Sequence, residues 1–265
     1  MSRIRRAFAG AKAAGRPALV VFVEAGDPDL ATTARLLPAL AAAGADVLEL
    51  GIPFSDPIAD GPVIQRAHER GLASGTTLAA ALDLLGQLRG QGFAAPVVLF
   101  SYANPILAMG EPVFASRAAA AGADGVLVTD LPPEEGKAFA ALLRDTRLDP
   151  VYLVAPTSPD DRIRRAGALS RGFVYLVSRA GVTGARSALP EGLAALVARV
   201  RTQIPRRPLA VGFGISTPEQ VAAVGRLADG VVVGSAVVAR MEDAMRAGRD
   251  PVEAAAGLVR DLAGR

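Results

Sequence analysis

Cysteine and tryptophan are absent from these 265 residues, histidine occurs once, and lysine stands only at positions 12 and 137. Each shortage removes a class of chemistry. Without cysteine there is no disulfide framework, thiolate metal site or sulfur nucleophile. With His68 as the only histidine, a Ser-His-Asp triad and histidine-based metal ligation find little support. Its setting, Gln65-Arg-Ala-His-Glu-Arg70, reads as the solvated face of a helix. Lys12 lies in the N-terminal segment and Lys137 in a helical stretch. Neither ends a strand, which argues against a Schiff-base aldolase. Aromatic residues make up 5% of the chain, and 29 basic residues, all but two of them arginine, are interspersed with 26 acidic ones. That pattern describes solvated helix surfaces, with no clustered basic patch or stacking platform for nucleic acid. Apolar runs such as 18–23 and 231–238 are far too short to span a bilayer, and the Arg-rich start leads into no signal-like segment. A cytoplasmic location and no membrane partner are expected. The proton chemistry that remains is carboxylate, tyrosine or substrate-borne.

What is present is a large apolar core, with 51% hydrophobic residues, and a recurring phrase. Ala43-Gly-Ala-Asp-Val-Leu-Glu-Leu50, Ala121-Gly-Ala-Asp-Gly-Val-Leu-Val128 and Leu227-Ala-Asp-Gly-Val-Val-Val233 each read as a helix end, a turn and a buried strand. Further apolar runs at 18–23, 96–100, 150–154, 172–177 and 208–212 bring the count to eight strands. Helical segments are expected at 30–42, 63–88, 111–120, 133–146, 159–166, 190–204, 218–226 and 250–262, several opening on proline. Alternation of this kind demands parallel strands joined by right-handed crossovers, and eight units match a closed (β/α)8 TIM barrel. Residues 2–15 add an N-terminal helix expected to cover the barrel bottom, and 1–265 read as one barrel domain. An open doubly wound sheet is the rival, but Glu24-Ala-Gly-Asp-Pro28 after the first strand carries no dinucleotide fingerprint.

Glu49 is the sharpest anomaly. It is a carboxylate inside the apolar strand Asp46-Val-Leu-Glu-Leu50, followed in the next loop by Asp60. An ionised acid in an apolar site is costly unless paired, so burial raises its pKa, which suits a group that both gives and takes a proton. In a barrel of this type the active site lies at the carboxyl ends of the strands. There the chain places Glu24 and Asp27, Glu49, the run Ser101-Tyr-Ala-Asn104, and Thr129 with Asp130. Glycines at 181–184, 212–216 and 234–235 follow the last three strands. Glycine lets backbone approach an anion, and a helix N-terminus favours one, so these junctions read as a phosphate cradle. No P-loop accompanies it, which makes the phosphate a handle rather than a transferred group.

The run Leu48-Glu-Leu-Gly-Ile-Pro-Phe-Ser-Asp-Pro-Ile-Ala-Asp-Gly-Pro62, with Tyr175-Leu-Val-Ser-Arg-Ala-Gly-Val-Thr-Gly184 and Gly212-Phe-Gly-Ile-Ser216, resembles the tryptophan synthase α subunit family from about residue 22 to 235. The resemblance implies retro-aldol cleavage of indole-3-glycerol phosphate to indole and glyceraldehyde 3-phosphate, with indole passed to a β subunit in an α2β2 heterotetramer. It implies Glu49 as general acid/base and Asp60 as the residue that holds the indole N–H. Phe22, Phe100, Leu127, Thr129, Tyr175 and Thr183 would contact substrate. Gly184, Phe213, Gly214, Gly234 and Ser235 would bind the phosphate, and Pro53, Asp56 and Asn104 would face the partner. No cofactor is implied in this subunit, pyridoxal phosphate being expected only in the β partner. Two loops, 53–60 and 179–189, would close over the site, Thr183 bonding Asp60 on closure. Departures are Glu24 where the family usually has threonine, Thr129 where alanine is frequent, and Phe100 where leucine is frequent. Two alternatives stay open: a weakly active subunit that mainly activates its β partner, and a stand-alone lyase. An indole-glycerol phosphate synthase would need a strand-end lysine, which the chain lacks.

Overall fold

The computed structural model describes residues 1–177, 191–212 and 214–264. Among them, eight parallel strands close a barrel in sequence order. They are β1 (Ala18–Glu24), β2 (Val47–Gly51), β3 (Val97–Ser101), β4 (Gly125–Val128), β5 (Asp149–Val154), β6 (Val174–Val177), β7 (Leu209–Gly212) and β8 (Gly230–Val233). The twelve described helices are α1 (Arg3–Ala13), α2 (Leu30–Ala43), α3 (Pro62–Ala73), α4 (Leu78–Gly90), α5 (Ala103–Met109), α6 (Glu111–Ala120), α7 (Lys137–Asp145), α8 (Asp160–Leu169), α9 (Leu193–Gln203), α10 (Pro218–Gly225), α11 (Ser235–Arg246) and α12 (Pro251–Leu262).

Strand parity sorts the side chains. Leu19, Val21, Val23, Leu48, Leu50, Val97 and Leu99 point outward into the core beneath the helices. Ala18, Val20, Val47, Val98, Leu127, Val151, Tyr175, Ala210 and Val232 fill the interior. The expected N-terminal helix is α1, capped by Ser2, and its Ile4, Phe8 and Ala11 join that interior cluster. Phe8 stacks on Phe173 at 5.4 Å, so α1 plugs the end at which the strands begin.

The recurring phrase has a structural reason. Asp46, Asp124 and Asp229 each stand just before a strand, and each accepts the backbone N–H that opens the preceding strand or lies near its start: Leu19 at 2.8 Å, Val97 at 2.9 Å and Leu209 at 2.9 Å. Arginines complete them, Arg16 on Asp46, Arg3 and Arg89 on Asp124, and Arg201 on Asp229. A carboxylate at a strand N-terminus thus satisfies otherwise unpaired donors.

The expected single helix over 63–88 is two helices. Ser74 folds its hydroxyl back onto the Gly71 carbonyl at 2.8 Å, and Thr77 accepts the Ala80 N–H at 3.1 Å as the N-cap of α4. Short hydroxyl side chains stop one helix and start the next because they compete for the backbone's own hydrogen bonds. The helix expected over 133–146 begins only at Lys137, after a turn.

Candidate active site

At the carboxyl ends of the strands lies a cavity of about 770 Å³. Its floor is the top interior layer: Phe22, Glu49, Phe100, Leu153, Tyr175 and Val232. Thr129, Asp60, Ile64, Gly214, Gly234 and Ser235 also line it.

Glu49 stands opposite Phe22 in the β1–β2 register and is completely buried. Neither of its carboxylate oxygens has a hydrogen-bond partner among the described residues. Burial therefore acts unopposed and pushes the carboxyl up to about 8. Tyr175 is also buried on the cavity wall. Burial first, then the nearby Glu49 and Asp60 carboxylates, raise its phenol well above the ordinary value, so it stays protonated. Gly212 makes room for it: a Cβ there would stand 2.4 Å from the Tyr175 hydroxyl.

Phe22 and Phe100 meet edge-on at 5.1 Å, an apolar corner suited to a flat ring. The Thr129 hydroxyl donates to the Ser101 carbonyl at 2.9 Å, which ties up the polar group of a residue on that wall. Leu127 takes a different place: it belongs to the sealed interior layer and is not among the cavity-lining residues.

Asp60, 6% exposed, closes the cavity from the β2–α3 loop. Its Oδ2 accepts the Tyr102 hydroxyl at 2.6 Å and lies 3.2 Å from His68 Nε2. His68 is a correction to the reading of a solvated helix face. It is 3% exposed, turned inward from α3 and set between two carboxylates, with Glu24 Oε1 3.2 Å from Nδ1. Its turn of α3 is amphipathic, and arginines on either side carry the polar face: Arg66 forks onto Glu242 and Arg70 onto Asp27. Burial is the largest single influence on His68 and lowers it, but Asp60 and Glu24 together outweigh that and raise it to about 9. Glu24 is itself pushed up to about 7, by burial first, with His68 opposing.

Glu24 is not among the residues lining the cavity. Its carboxylate lies over Gly51, where a Cβ would stand 2.2 Å from Oε2. Tyr102 was the other omission of the sequence reading. It sits in the flagged run 101–104, yet nothing local marked its hydroxyl as reaching a carboxylate 42 positions earlier.

For the phosphate, Gly234 is the N-cap of α11 and offers no side-chain cap to the helix N–H groups behind it. These groups and the positive end of the helix dipole face the cavity wall formed by Gly214, Gly234 and Ser235. Thr183, Gly184 and Phe213, with the loop 179–189, lie outside the described residues. Of the expected partner-facing positions, Asp56 and Asn104 are exposed and Pro53 is buried within the chain, where it packs close to Gly71.

Comparison with known proteins agrees along nearly the whole chain. A family model described as tryptophan synthase alpha chain matches residues 8–263. The tryptophan synthase alpha chain of Geobacter sulfurreducens is 53% identical over 242 residues, which is 91% of each chain. The crystal structure of tryptophan synthase subunit alpha from Legionella pneumophila matches with a TM-score of 0.92 at 40% identity, covering 100% of this chain and 98% of that one. The closed barrel, the buried acid at its rim and these matches lead to one conclusion: the chain belongs to the tryptophan synthase alpha chain family, the lyases that cleave indole-3-glycerol phosphate to indole and glyceraldehyde 3-phosphate.

Proposed function

We propose that Glu49 carries the proton of this cleavage and Asp60 carries the charge. The carbon–carbon bond to indole C3 breaks once C3 has been protonated and as the glycerol hydroxyl loses its proton. A carboxyl protonated near neutral pH can do both in turn. It gives its proton to C3, then takes the hydroxyl proton as the bond electrons return to the indole ring, and so regenerates itself. The observation that carries this reading is the Glu49 carboxyl on the cavity wall, fully buried and without a hydrogen-bond partner among the described residues.

Protonation at C3 places positive charge on the indole nitrogen. An anionic Asp60 accepting that N–H is bound more tightly in the transition state than in the ground state, as catalysis requires. Phe22, Phe100 and Tyr175 would hold the ring and glycerol portion, and Gly214, Gly234 and Ser235 the phosphate. Thr183, Gly184 and Phe213 are proposed for the same roles on the family resemblance.

A β subunit is the partner expected of an alpha chain, and we assign the pair to an α2β2 heterotetramer in the cytoplasm. In support, Ile58, Leu107 and Val113 are exposed at 80%, 60% and 53%, close in sequence to the exposed Asp56 and Asn104. Burying such side chains favours association. An extra charge at position 24 inside the cavity would favour the activator reading. That charge faces His68 behind the wall, which favours the lyase. No cofactor is assigned to this subunit.

Indole release from indole-3-glycerol phosphate, with and without a β subunit, tests these roles. Glu49→Gln and Asp60→Asn are each expected to lower kcat by about 10²-fold or more. Unchanged release in Glu49→Gln would remove the proton-shuttle assignment.

A further inference from the structure

Two buried ionisable groups, Glu24 and His68, have no part in the chemistry above, yet both stand directly behind Asp60. His68 touches three residues at once. Its Nε2 faces Asp60 Oδ2 at 3.2 Å, its Nδ1 faces Glu24 Oε1 at 3.2 Å, and the Phe54 backbone N–H donates to the same Nδ1 at 3.3 Å. One ring nitrogen cannot accept from Phe54 and donate to Glu24 together. A neutral imidazole with its proton on Nε2 holds Phe54. An imidazolium releases Phe54 and donates to Glu24 instead. In both states Nε2–H points at Asp60, so this contact survives the exchange.

The Tyr102 hydroxyl donates to the same Asp60 oxygen and also accepts the Ala59 N–H at 3.0 Å. Two donors converging on Oδ2 fix the plane of the carboxylate. The neighbouring charges are accounted for elsewhere. Asp27 is forked by Arg70 at 2.6 and 2.8 Å, and Glu242 on α11 takes Arg66 at 2.8 Å and lies 3.8 Å from Arg70.

We propose that Glu24 and His68 are positioning residues for the cleavage reaction, a buried carboxylate–imidazolium pair that fixes Asp60 from behind the cavity wall. The proposal rests on the assignment of Asp60 as the charge-bearing residue. Glu24 is the counter-charge that lets a histidine be buried at position 68.

The test exploits the single histidine of the chain. In untagged protein carrying 15N-labelled histidine, the ring signals belong to His68 alone. They are expected to show both ring nitrogens protonated at neutral pH and a titration midpoint well above that of a free imidazole, lowered in Glu24→Gln. In the cleavage assay, His68→Ala and Glu24→Gln are expected to lose about tenfold or more in kcat while KM moves less than about threefold, because misplacing a reacting group costs rate before affinity. His68→Gln, which keeps a donor for Asp60, should recover part of that loss. A ring that titrates like a free imidazole and ignores Glu24→Gln overturns the proposal. So does wild-type kcat in both variants beside a collapsed Asp60→Asn. If Asp60→Asn itself cleaves normally, the assignment of Asp60 fails first and the pair's role falls with it.

Discussion

Glu49 and Tyr175 show how a single side chain acquires a function from its neighbours. A glutamate is an ordinary surface acid until an interior layer of Val47, Val98 and Leu127 and the lack of a donor among the described residues leave it no way to stay ionised cheaply. Tyr175 depends in turn on a residue with no side chain. Gly212→Ala would put a methyl group 2.4 Å from the phenol oxygen, and strand backbone cannot retreat as a surface loop does. The tyrosine must leave its place, so KM for indole-3-glycerol phosphate is expected to rise about tenfold, with a smaller loss of stability. Steady-state kinetics beside a thermal melt separates the two effects. An unchanged KM would mean that Tyr175 does not shape the substrate site. Glu49 and Asp60 were legible in the sequence because an acid in an apolar strand, or in a glycine- and proline-bounded loop after it, breaks local pattern. His68 was not, because a polar residue flanked by charged ones looks solvated. Its burial depends on how α3 is rotated against β1 and the 53–60 loop.

At the level of elements, the two ends of the strands do different work. The carboxyl ends hold the cavity, while the amino ends hold the aspartates of the recurring phrase. Asp124 carries most: it accepts the Val97 N–H and binds both Arg3 and Arg89, tying α1, α4 and β3 together. Asp124→Ala leaves a buried N–H unpaired and strips two partly buried arginines of their partner. The cost is expected to be about 3 kcal/mol, a fall in Tm of roughly 6–10 °C. Its kcat should stay near wild type, since Asp124 lies at the opposite end of the strands from the cavity. A kcat loss matching that of Asp60→Asn would contradict this division. The strands were predictable from alternation and short apolar runs. The break between α3 and α4 is hidden in the sequence because apolar residues continue on both sides of a short turn, in which Ser74, Gly75 at φ 76° and the N-cap Thr77 separate the two helices.

For the whole molecule, the buried acids and the imidazole pull stability in one direction with pH. Glu49 and Glu24 have folded-state values raised to about 8 and about 7, and His68 to about 9. A raised value means that the folded state holds its proton more tightly than the unfolded chain. The resulting stabilisation is complete below the unfolded value and is lost as pH climbs through the folded one. All three contributions therefore decline between about pH 5 and pH 9, each by at most about 1.4 kcal/mol per pH unit. Tm is expected to fall steadily across that range, and Glu49→Gln should flatten the slope and melt higher than wild type at pH 9. A Tm that is level or rising from pH 6 to 9 in the wild type would rule out a buried, neutral Glu49. A variant more stable than its parent and nearly inactive would be the signature of strain retained for catalysis.

The sequence by itself determined the barrel, its eight strands, the plugging helix and the two carboxylates, because these follow from periodicity, from turn chemistry and from residues that contradict their local pattern. Tertiary structure alone decided which polar residues meet. Glu24, Asp60, His68 and Tyr102 come from a strand end, a loop, a helix and the start of another helix, and no spacing along the chain encodes their contact. Hydrogen bonds depend on distances of a few ångströms and on direction, whereas the sequence pattern records only which side of an element is apolar. The apolar pattern is local and could be read; the polar constellation exists only once the barrel has closed.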